Sequence, residues 1–419
     1  MPVGNGRRVA VVAGYRTPFC KSGTSLKDAR AVDLARFVTR ELLERTDLNG
    51  ADVNAVIFGQ VVPSALVPNV AREVSLLPQF PKEIPAYSLN RACASSGQAA
   101  ANAYDEITLG TADVVIAGGV ESLSDIPILA SRRLADILVE ASKAKSVGAR
   151  LRSFSRIRPR DLVPVSPAIA EPSTGESMGQ SAEKMAKENH ITREAQDRWA
   201  LRSHTLAAKG TDDGRITAEV VPWLPERSRE VVITADNGIR RDTSLEQMAK
   251  LKPVFDRRYG SVTAANSSPL TDGASAVLLM SEAAARALGY TPLTYIRSYA
   301  VAAVDPGWQL LQAPIFAVPK ALERAGLAWK DLGVIEVHEA FAAQVLSNLQ
   351  GWAAKGWEIN EAIINVMGGS IAIGHPFGAT GTRLVTTLSH EMVRRDAQFG
   401  LLSICAQGGM GFAMVLERN

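Results

Sequence analysis

The 419-residue sequence predicts an α/β protein with a largely buried sheet, built as two similar halves with an insertion. Three observations carry that prediction. Short β-rich runs alternate with helical stretches along the chain. Two distant segments repeat one another at constant spacing. A polar, arginine-rich stretch between about 122 and 250 has no counterpart in the second half. Hydrophobic residues make up 46% of the chain and charged ones 21%, which suits a compact protein and argues against disorder. A chain of this length buries roughly 75% of its unfolded surface, so it needs no disulfide or metal to hold together.

The elements follow in order. Residues 9–15 form an apolar run too short for a signal peptide, followed by Arg16 and Pro18 without a cleavage pattern; they read as a first strand. Periodic apolar residues predict helices over 32–46, 95–110, 314–326 and 380–395. Buried strands are predicted over 51–62, 111–119, 331–340, 399–409 and 411–417. Residues 42–60 lie on 321–339 at an offset of 279, which superposes Leu43, Glu44, Arg45, Leu48 and Asp52 on Leu322, Glu323, Arg324, Leu327 and Asp331. Each half then carries a helix start at Ser96-Gly97 or Thr380-Gly381, and a strand expected to end in Gly118-Gly119 or Gly408-Gly409. The same order in both halves predicts a duplication. Within the insertion, 131–162 holds nine Arg or Lys against three Asp or Glu. Leu134, Ile137, Leu138, Ala141, Ala144, Val147, Leu151, Phe154 and Ile157 mark one face of a helix or helix pair there. That face either packs on its own domain or presents a basic amphipathic surface to a partner or membrane.

Charge and cysteine usage narrow the function. Lys+Arg 46 against Asp+Glu 43 leaves a net charge of +3, far too balanced for a dedicated nucleic-acid binder. The three cysteines, Cys20, Cys93 and Cys405, are widely spaced, which excludes a disulfide framework and a CxxC zinc site and points to a reducing compartment. No apolar stretch approaches the ~20 residues of a membrane span, so the expectation is a soluble, cytoplasmic protein. The usual dinucleotide, P-loop, zinc-protease and hydrolase motifs are absent.

Four segments remain that place a reactive side chain beside small or glycine-rich backbone. In NRACASSGQAA, Cys93 sits at a strand-to-helix junction, where free N–H groups and the positive helix end favour a thiolate. Taken alone, a small buried cysteine is the plainer reading. In NVMGGSIAIGHPFGATG, His375 stands at the mouth of a helix between glycine turns. Cys405 closes a strand before Gln407-Gly408-Gly409, and His338 with Glu339 closes another in HEAFAA. All four are expected at the carboxyl ends of strands, where chemistry gathers in α/β sheets.

These segments resemble the thiolase family in order and sequence: the nucleophile block NRACASSGQAA, the NEAF-type block HEAFAA, the block GGSIAIGHPFGATG and the block CAQGGMGFA. VTAANSSPLTDGASAVLLM (262–280) resembles the family's coenzyme-A segment, and agreement runs from Arg16 to the last strand. The resemblance implies a thiolase fold of duplicated αβαβα-layered halves with an inserted loop domain. Its units would be 1–121 with 251–282, then 122–250, then 283–419. His338 in place of the family's usual Asn, and the basic insert followed by 170–186, are similar to the β subunit of the trifunctional fatty-acid oxidation complex.

By this resemblance Cys93 is the nucleophile, His375 its base, and Cys405 the acid for the released enolate, with a pKa set near neutrality. One oxyanion site would use His375 with a water held by His338, the other the backbone N–H groups of Cys93 and Gln407. Gln407 stands where Gly or Ala is usual. Met178, Ala264, Ser268, Ala340 and Phe341 match coenzyme-A-lining positions. The implied reaction is thiolytic cleavage of a 3-oxoacyl-CoA, with coenzyme A as co-substrate, no further cofactor and no metal. A homodimer or homotetramer is implied, with a hydratase/dehydrogenase subunit or a membrane surface as partner of 131–162. The alternatives are an acetoacetyl-CoA-specific acetyltransferase and a decarboxylating condensing enzyme.

Overall fold

Ten strands form one mixed sheet in the computed structural model, which describes residues 6–165, 170–225 and 231–419. The parts of the expected 1–121 and 122–250 units that fall on 1–5, 166–169 and 226–230 lie outside the described residues. The strands are β1 (Val9–Arg16), β2 (Cys20–Lys21), β3 (Ala55–Gly59), β4 (Ala86–Leu89), β5 (Val114–Glu121), β6 (Thr271–Ser281), β7 (Thr294–Ala303), β8 (Val334–Val337), β9 (Phe399–Ala406) and β10 (Met410–Glu417). Their order is β4-β3-β5-β6-β1-β7-β10-β9-β8, with β2 paired to β6 off this path. β3-β5-β6-β1 mirrors β8-β9-β10-β7, and the halves meet where Val9, Ala10 and Val11 pair antiparallel with Ile296, Tyr295 and Thr294.

The repeat holds in three dimensions. Helix Ala31–Thr46 ends on left-handed Asp47, and helix Pro314–Ala325 ends on left-handed Gly326, at the same 279-residue offset. A 3₁₀ turn follows each, Gly50–Asp52 and Trp329–Asp331, and then β3 or β8. Those turns explain why the strands expected over 51–62 and 331–340 are shorter: their polar leading residues close a turn before the apolar run begins. Gly118-Gly119 also differs from expectation, lying inside β5 rather than at its end. The glycines there admit neighbours: a Cβ on Gly118 would lie 2.4 Å from the Phe58 ring, and one on Gly119 1.9 Å from the Gly378 carbonyl oxygen.

Two central helices, Ser95–Leu109 and Thr380–Arg394, lie between the halves. Strand residues alternate in the period-2 manner of a sheet covered on both faces. Val9, Val11, Phe412 and Met414 pack with Ala99, Ala103, Leu384 and Leu388 of the central helices. Ala10 and Val12 face Leu34, Val38 and Leu42 of the first outer helix, and Ala413 and Val415 face Ile315, Val318 and Leu322 of the second. The result is outer helix, sheet, central helices, sheet, outer helix. The central helices cross where a Cβ on Gly381 would lie only 2.1 Å from the Gly97 nitrogen, so Gly381 is required for the approach. Ser96 Oγ accepts from Thr382 N at 3.0 Å across the same contact. This crossing brings the starts of the two helices, and hence Cys93 and His375, to one place.

The basic insert is a helix pair, Arg132–Lys143 and Val147–Phe154, closed by a 3₁₀ turn at Pro159–Leu162. Ile137 and Ala141 are buried, but Leu138, Val147, Leu151 and Phe154 are exposed, so the apolar stripe is not packed along its length on the domain. The pair is tied instead by polar contacts, Arg156 to Glu140 and Arg133 to Asp161. No helix among the described residues is long and apolar enough to cross a membrane.

Candidate active site

The turn between β4 and the first central helix is built to present a sulfur. Asn90 Oδ1 accepts from Ala92 N at 2.8 Å, while Ser95 Oγ accepts from Arg91 N at 2.8 Å and donates to Ala92 O at 2.6 Å. These bonds hold Ala92 at φ +45°, a conformation that costs a non-glycine residue about 1–3 kcal/mol. Cys93 follows, partly exposed, directly before the helix. The backbone N–H groups of Gln407 and of Cys93 itself lie where they favour its thiolate. The Gln407 side chain turns away and donates to Ala170 O at 2.7 Å, and Gly408 N donates to Glu171 at 2.9 Å, so the insertion anchors the turn that aims the Gln407 N–H.

His375 lies between a short helix, Ser370–Ile373, and the second central helix, not at the end of a strand as expected. What fixes it is the glycine-rich loop. Gly374 takes φ +112°, Gly378 N donates to Glu121 at 3.0 Å, and His375 N donates to Thr271 Oγ1 at 3.1 Å. His338 does end a strand, directly after β8, and its backbone N–H donates to Ser403 O at 2.8 Å. The two imidazole rings stand 4.1 Å apart between centroids. Cys93 Sγ and one ring nitrogen from each histidine lie within 4.8 Å of one another. Nδ1 of His375 meets Thr380 Oγ1 at 2.7 Å and Nδ1 of His338 meets Ser370 Oγ at 3.0 Å, while both Nε2 atoms are buried without a partner among the described residues. Thr380 Oγ1 donates to Pro376 O, so it accepts from His375 Nδ1–H. His375 Nε2 is therefore bare and serves as a proton acceptor.

Cys405 sits near the end of β9 and is 1% exposed. It shares an apolar cluster with Met178, Ala340 and Phe341. Ser268 N donates to Ala340 O at 2.9 Å, and Ala264 is exposed on the same loop. Behind the site, Glu339 accepts from Trp199 Nε1, Ser203 Oγ and Asn365 Nδ2 at 2.7 to 3.0 Å, pinning the insertion helix Arg193–Asp212 to the glycine loop.

Burial governs the charges. It pushes the Cys93 thiol up to about 12, against the two backbone N–H groups that favour the thiolate. It pushes Cys405 well above the usual thiol range, with the neighbouring Cys93 adding to it. Burial, helped by Arg383, lowers His375 to about 3, and holds His338 well below the usual imidazole value together with the charges of His375 and Arg383. The free site therefore holds two thiols and two neutral imidazoles. That corrects two expectations: the helix start does not make Cys93 a resting thiolate, and Cys405 is not tuned near neutrality. In each case desolvation outweighs the local donors. Thiol and base stay poised together, and the proton moves when an electrophile arrives.

The same three ligands have the composition of a zinc site. Ligating through both Nε2 atoms would require His338 to carry its proton on Nδ1 and donate it to Ser370. Ser370 Oγ already accepts from Arg383 Nη2 at 2.9 Å, so its own hydrogen would then lack an acceptor. The hydrogen bonds thus favour a bare thiol site over a metal site. Thr380, Ser370, Arg383 and the Glu339 contacts were not singled out from sequence. Ser370 and Thr380 lie inside the block GGSIAIGHPFGATG without an assigned role there, and Arg383 only within a helix.

A thiolase N-terminal domain model matches residues 9–283, and a thiolase C-terminal domain model matches residues 290–418. The chain belongs to the thiolase family. It is 49% identical over 428 residues to a 3-ketoacyl-CoA thiolase of Shewanella halifaxensis, covering 98% of this chain and 97% of that one. The Escherichia coli 3-ketoacyl-CoA thiolase is 48% identical over 425 residues with the same coverage. Among solved structures, the Bacillus anthracis acetyl-CoA acetyltransferase superposes with a TM-score of 0.86 at 34% identity, over 98% of both chains. Human mitochondrial 3-ketoacyl-CoA thiolase superposes with a TM-score of 0.85 at 33% identity, over 99% of both. The expected thiolase fold is thereby borne out.

Proposed function

We propose that this thiolase cleaves 3-oxoacyl-CoA with coenzyme A, giving acetyl-CoA and an acyl-CoA two carbons shorter, as in fatty-acid β-oxidation. The observation that supports the reading most directly is the Cys93 thiol within 4.8 Å of a ring nitrogen of His375 and of His338, with the buried Cys405 thiol as a neighbour of Cys93. Cys93 Sγ attacks the 3-keto carbon while His375 Nε2 takes the thiol proton. As the C2–C3 bond breaks, the acyl group stays on Cys93 and the electron pair leaves on acetyl-CoA as its enolate. The Cys405 thiol protonates that carbon. Coenzyme A then gives its thiol proton to the Cys405 thiolate and attacks the thioester, and the displaced Cys93 sulfur takes back its proton from His375.

The backbone N–H groups of Cys93 and Gln407 donate to one developing oxyanion, and the paired histidines face the other. Each such donor is worth about 10²–10³ in rate. Coenzyme A is co-substrate, and the chemistry calls for no further cofactor. Met178, Ala264, Ser268, Ala340 and Phe341 are the residues we assign to its channel.

The curated relatives at 48–49% identity are 3-ketoacyl-CoA thiolases, which supports substrates longer than acetoacetyl-CoA. Following the loss of 3-oxoacyl-CoA absorbance on adding coenzyme A across a chain-length series tests this. We expect kcat/KM for a medium or long chain to exceed that for acetoacetyl-CoA by at least about tenfold, a gain within reach of a few buried methylenes. Turnover of acetoacetyl-CoA alone supports the acetyltransferase reading, and no turnover refutes both.

The basic insert favours an anionic membrane surface as its partner. Exposed Leu138, Val147, Leu151 and Phe154 stand among exposed Lys143, Arg150 and Arg152. Co-sedimentation with phosphatidylserine-containing vesicles is expected for the full chain at low salt and not for a variant lacking 131–162. Equal recovery of both in the supernatant contradicts it, and retention on a hydratase/dehydrogenase subunit alone favours that partner instead. A homodimer or homotetramer and a cytoplasmic, reducing location complete the proposal. Light scattering that returned a monomer's mass would remove the first.

A further inference from the structure

His338 and His375 face the same thiol, and neutral imidazole has two tautomers, so what each ring can do depends on which nitrogen carries its proton. The hydrogen bonds behind the two rings differ. Behind His375, the Thr380 hydroxyl spends its hydrogen on Pro376 O at 3.0 Å and accepts from Nδ1–H at 2.7 Å. Behind His338, the Ser370 hydroxyl meets two groups among the described residues: Arg383 Nη2 at 2.9 Å and His338 Nδ1 at 3.0 Å. A guanidinium only donates, so the Ser370 oxygen accepts there. Its one hydrogen is then left for His338 Nδ1, which must be bare to receive it.

We propose that Ser370 and Arg383 are positioning residues that hold the proton of His338 on Nε2, so that His338 meets the substrate as a hydrogen-bond donor while His375 meets the thiol as an acceptor. Arg383 is held for this task. Its guanidinium is 1% exposed and lies 3.5 Å from the Glu336 carboxylate, itself fully buried on β8 two residues before His338. The hydrogen bonds from Arg383 to Ser370 and from Ser370 to His338 therefore end at the ring and fix its tautomer, with Glu336 facing the guanidinium as an ion pair. Burial keeps that ring neutral, so the position of one proton, not its presence, sets the role. His338 Nε2 is buried with no partner among the described residues, as a donor reserved for a substrate oxygen would be.

The assignment gives the two neighbouring rings, 4.1 Å apart, complementary parts, one removing a proton and one stabilising negative charge. It also ties His338 to Ser370: an imidazole at 338 donates reliably only when a hydroxyl at 370 dictates which nitrogen is bare. The catalytic consequence rests on the thiolase reading above, whereas the tautomer itself does not.

The test is nitrogen NMR of protein labelled at histidine with ¹⁵N, the His338 signals being assigned by their loss in His338→Asn. We expect His338 to show a protonated Nε2 and a bare Nδ1, and His375 the reverse. In Ser370→Ala the His338 signals should move toward a tautomeric average. In thiolysis the same variant should lose about tenfold or more in kcat with little change in KM, part of the ~10²–10³ that one oxyanion donor supplies. Ser370→Thr should restore both. A proton on Nδ1 of His338 in the unsubstituted protein overturns the proposal. So does a Ser370→Ala protein that loses activity with its His338 signals unchanged, the mark of a merely structural role. If the chain performed no thiolysis at all, the tautomers would still read as stated, which separates failure of this inference from failure of the function.

Discussion

Cys93→Ala is expected to lower thiolysis by at least about 10⁴-fold, the scale on which removal of a covalent nucleophile acts. The remaining residues would still bind substrate and polarise its carbonyl, but no atom could hold the acyl group between the two half-reactions. Substrate affinity should change little, so the loss falls on kcat. The charge state of the site adds a second signature. Because burial holds the Cys93 thiol up near 12 and His375 down near 3, neither group titrates near neutrality in the free enzyme. Alkylation of Cys93 by iodoacetamide should therefore show no inflection between about pH 5 and about 9, where a free thiol titrates near 8.5. A sigmoidal rise centred near that free-thiol value would mean an exposed, ordinary cysteine.

Cys405→Ser carries the second largest expected effect. The variant should exchange acetyl-CoA methyl protons with deuterated solvent about 10²–10⁴-fold more slowly, the usual worth of a placed acid or base. Acylation of Cys93 should remain measurable. The argument is one of chemistry at constant shape, since a hydroxyl fills nearly the same space in the cluster with Ala340 and Phe341 but is a far weaker acid than the thiol. Unchanged exchange would show that carbanion protonation does not pass through Cys405. That result would revive the decarboxylating alternative, in which a cysteine and two histidines suffice.

Much of this architecture is legible in the chain because it is local. The helix, left-handed cap, 3₁₀ turn and strand recur at one offset, with Asp47 answering Gly326, and each is set by residues within a few positions of it. The Cys93 junction is equally local. What escapes a reading of the sequence depends on contacts across the fold. Gly118 and Gly119 look like a turn, yet they serve the passage of Phe58 and of the Gly378 backbone. The sequence places His375 at a strand end, but its position follows from the crossing of the central helices at Gly97 and Gly381. The thiol at a helix start looks acidic until its burial is known, and burial reverses the sign. Ser370 and Thr380 lie inside the block GGSIAIGHPFGATG, but their roles, like that of Arg383, come from hydrogen bonds to a ring or hydroxyl that only the folded chain brings together.

The central claim is that a single sulfur carries the severed acyl chain. Intact-mass spectrometry of the protein mixed with a 3-oxoacyl-CoA in the absence of coenzyme A tests it most directly. The account predicts a mass increase equal to the shortened acyl group, localised by peptide mapping to Cys93 and discharged on adding coenzyme A. An unmodified protein, or an adduct at Cys20 or Cys405 instead, would contradict it.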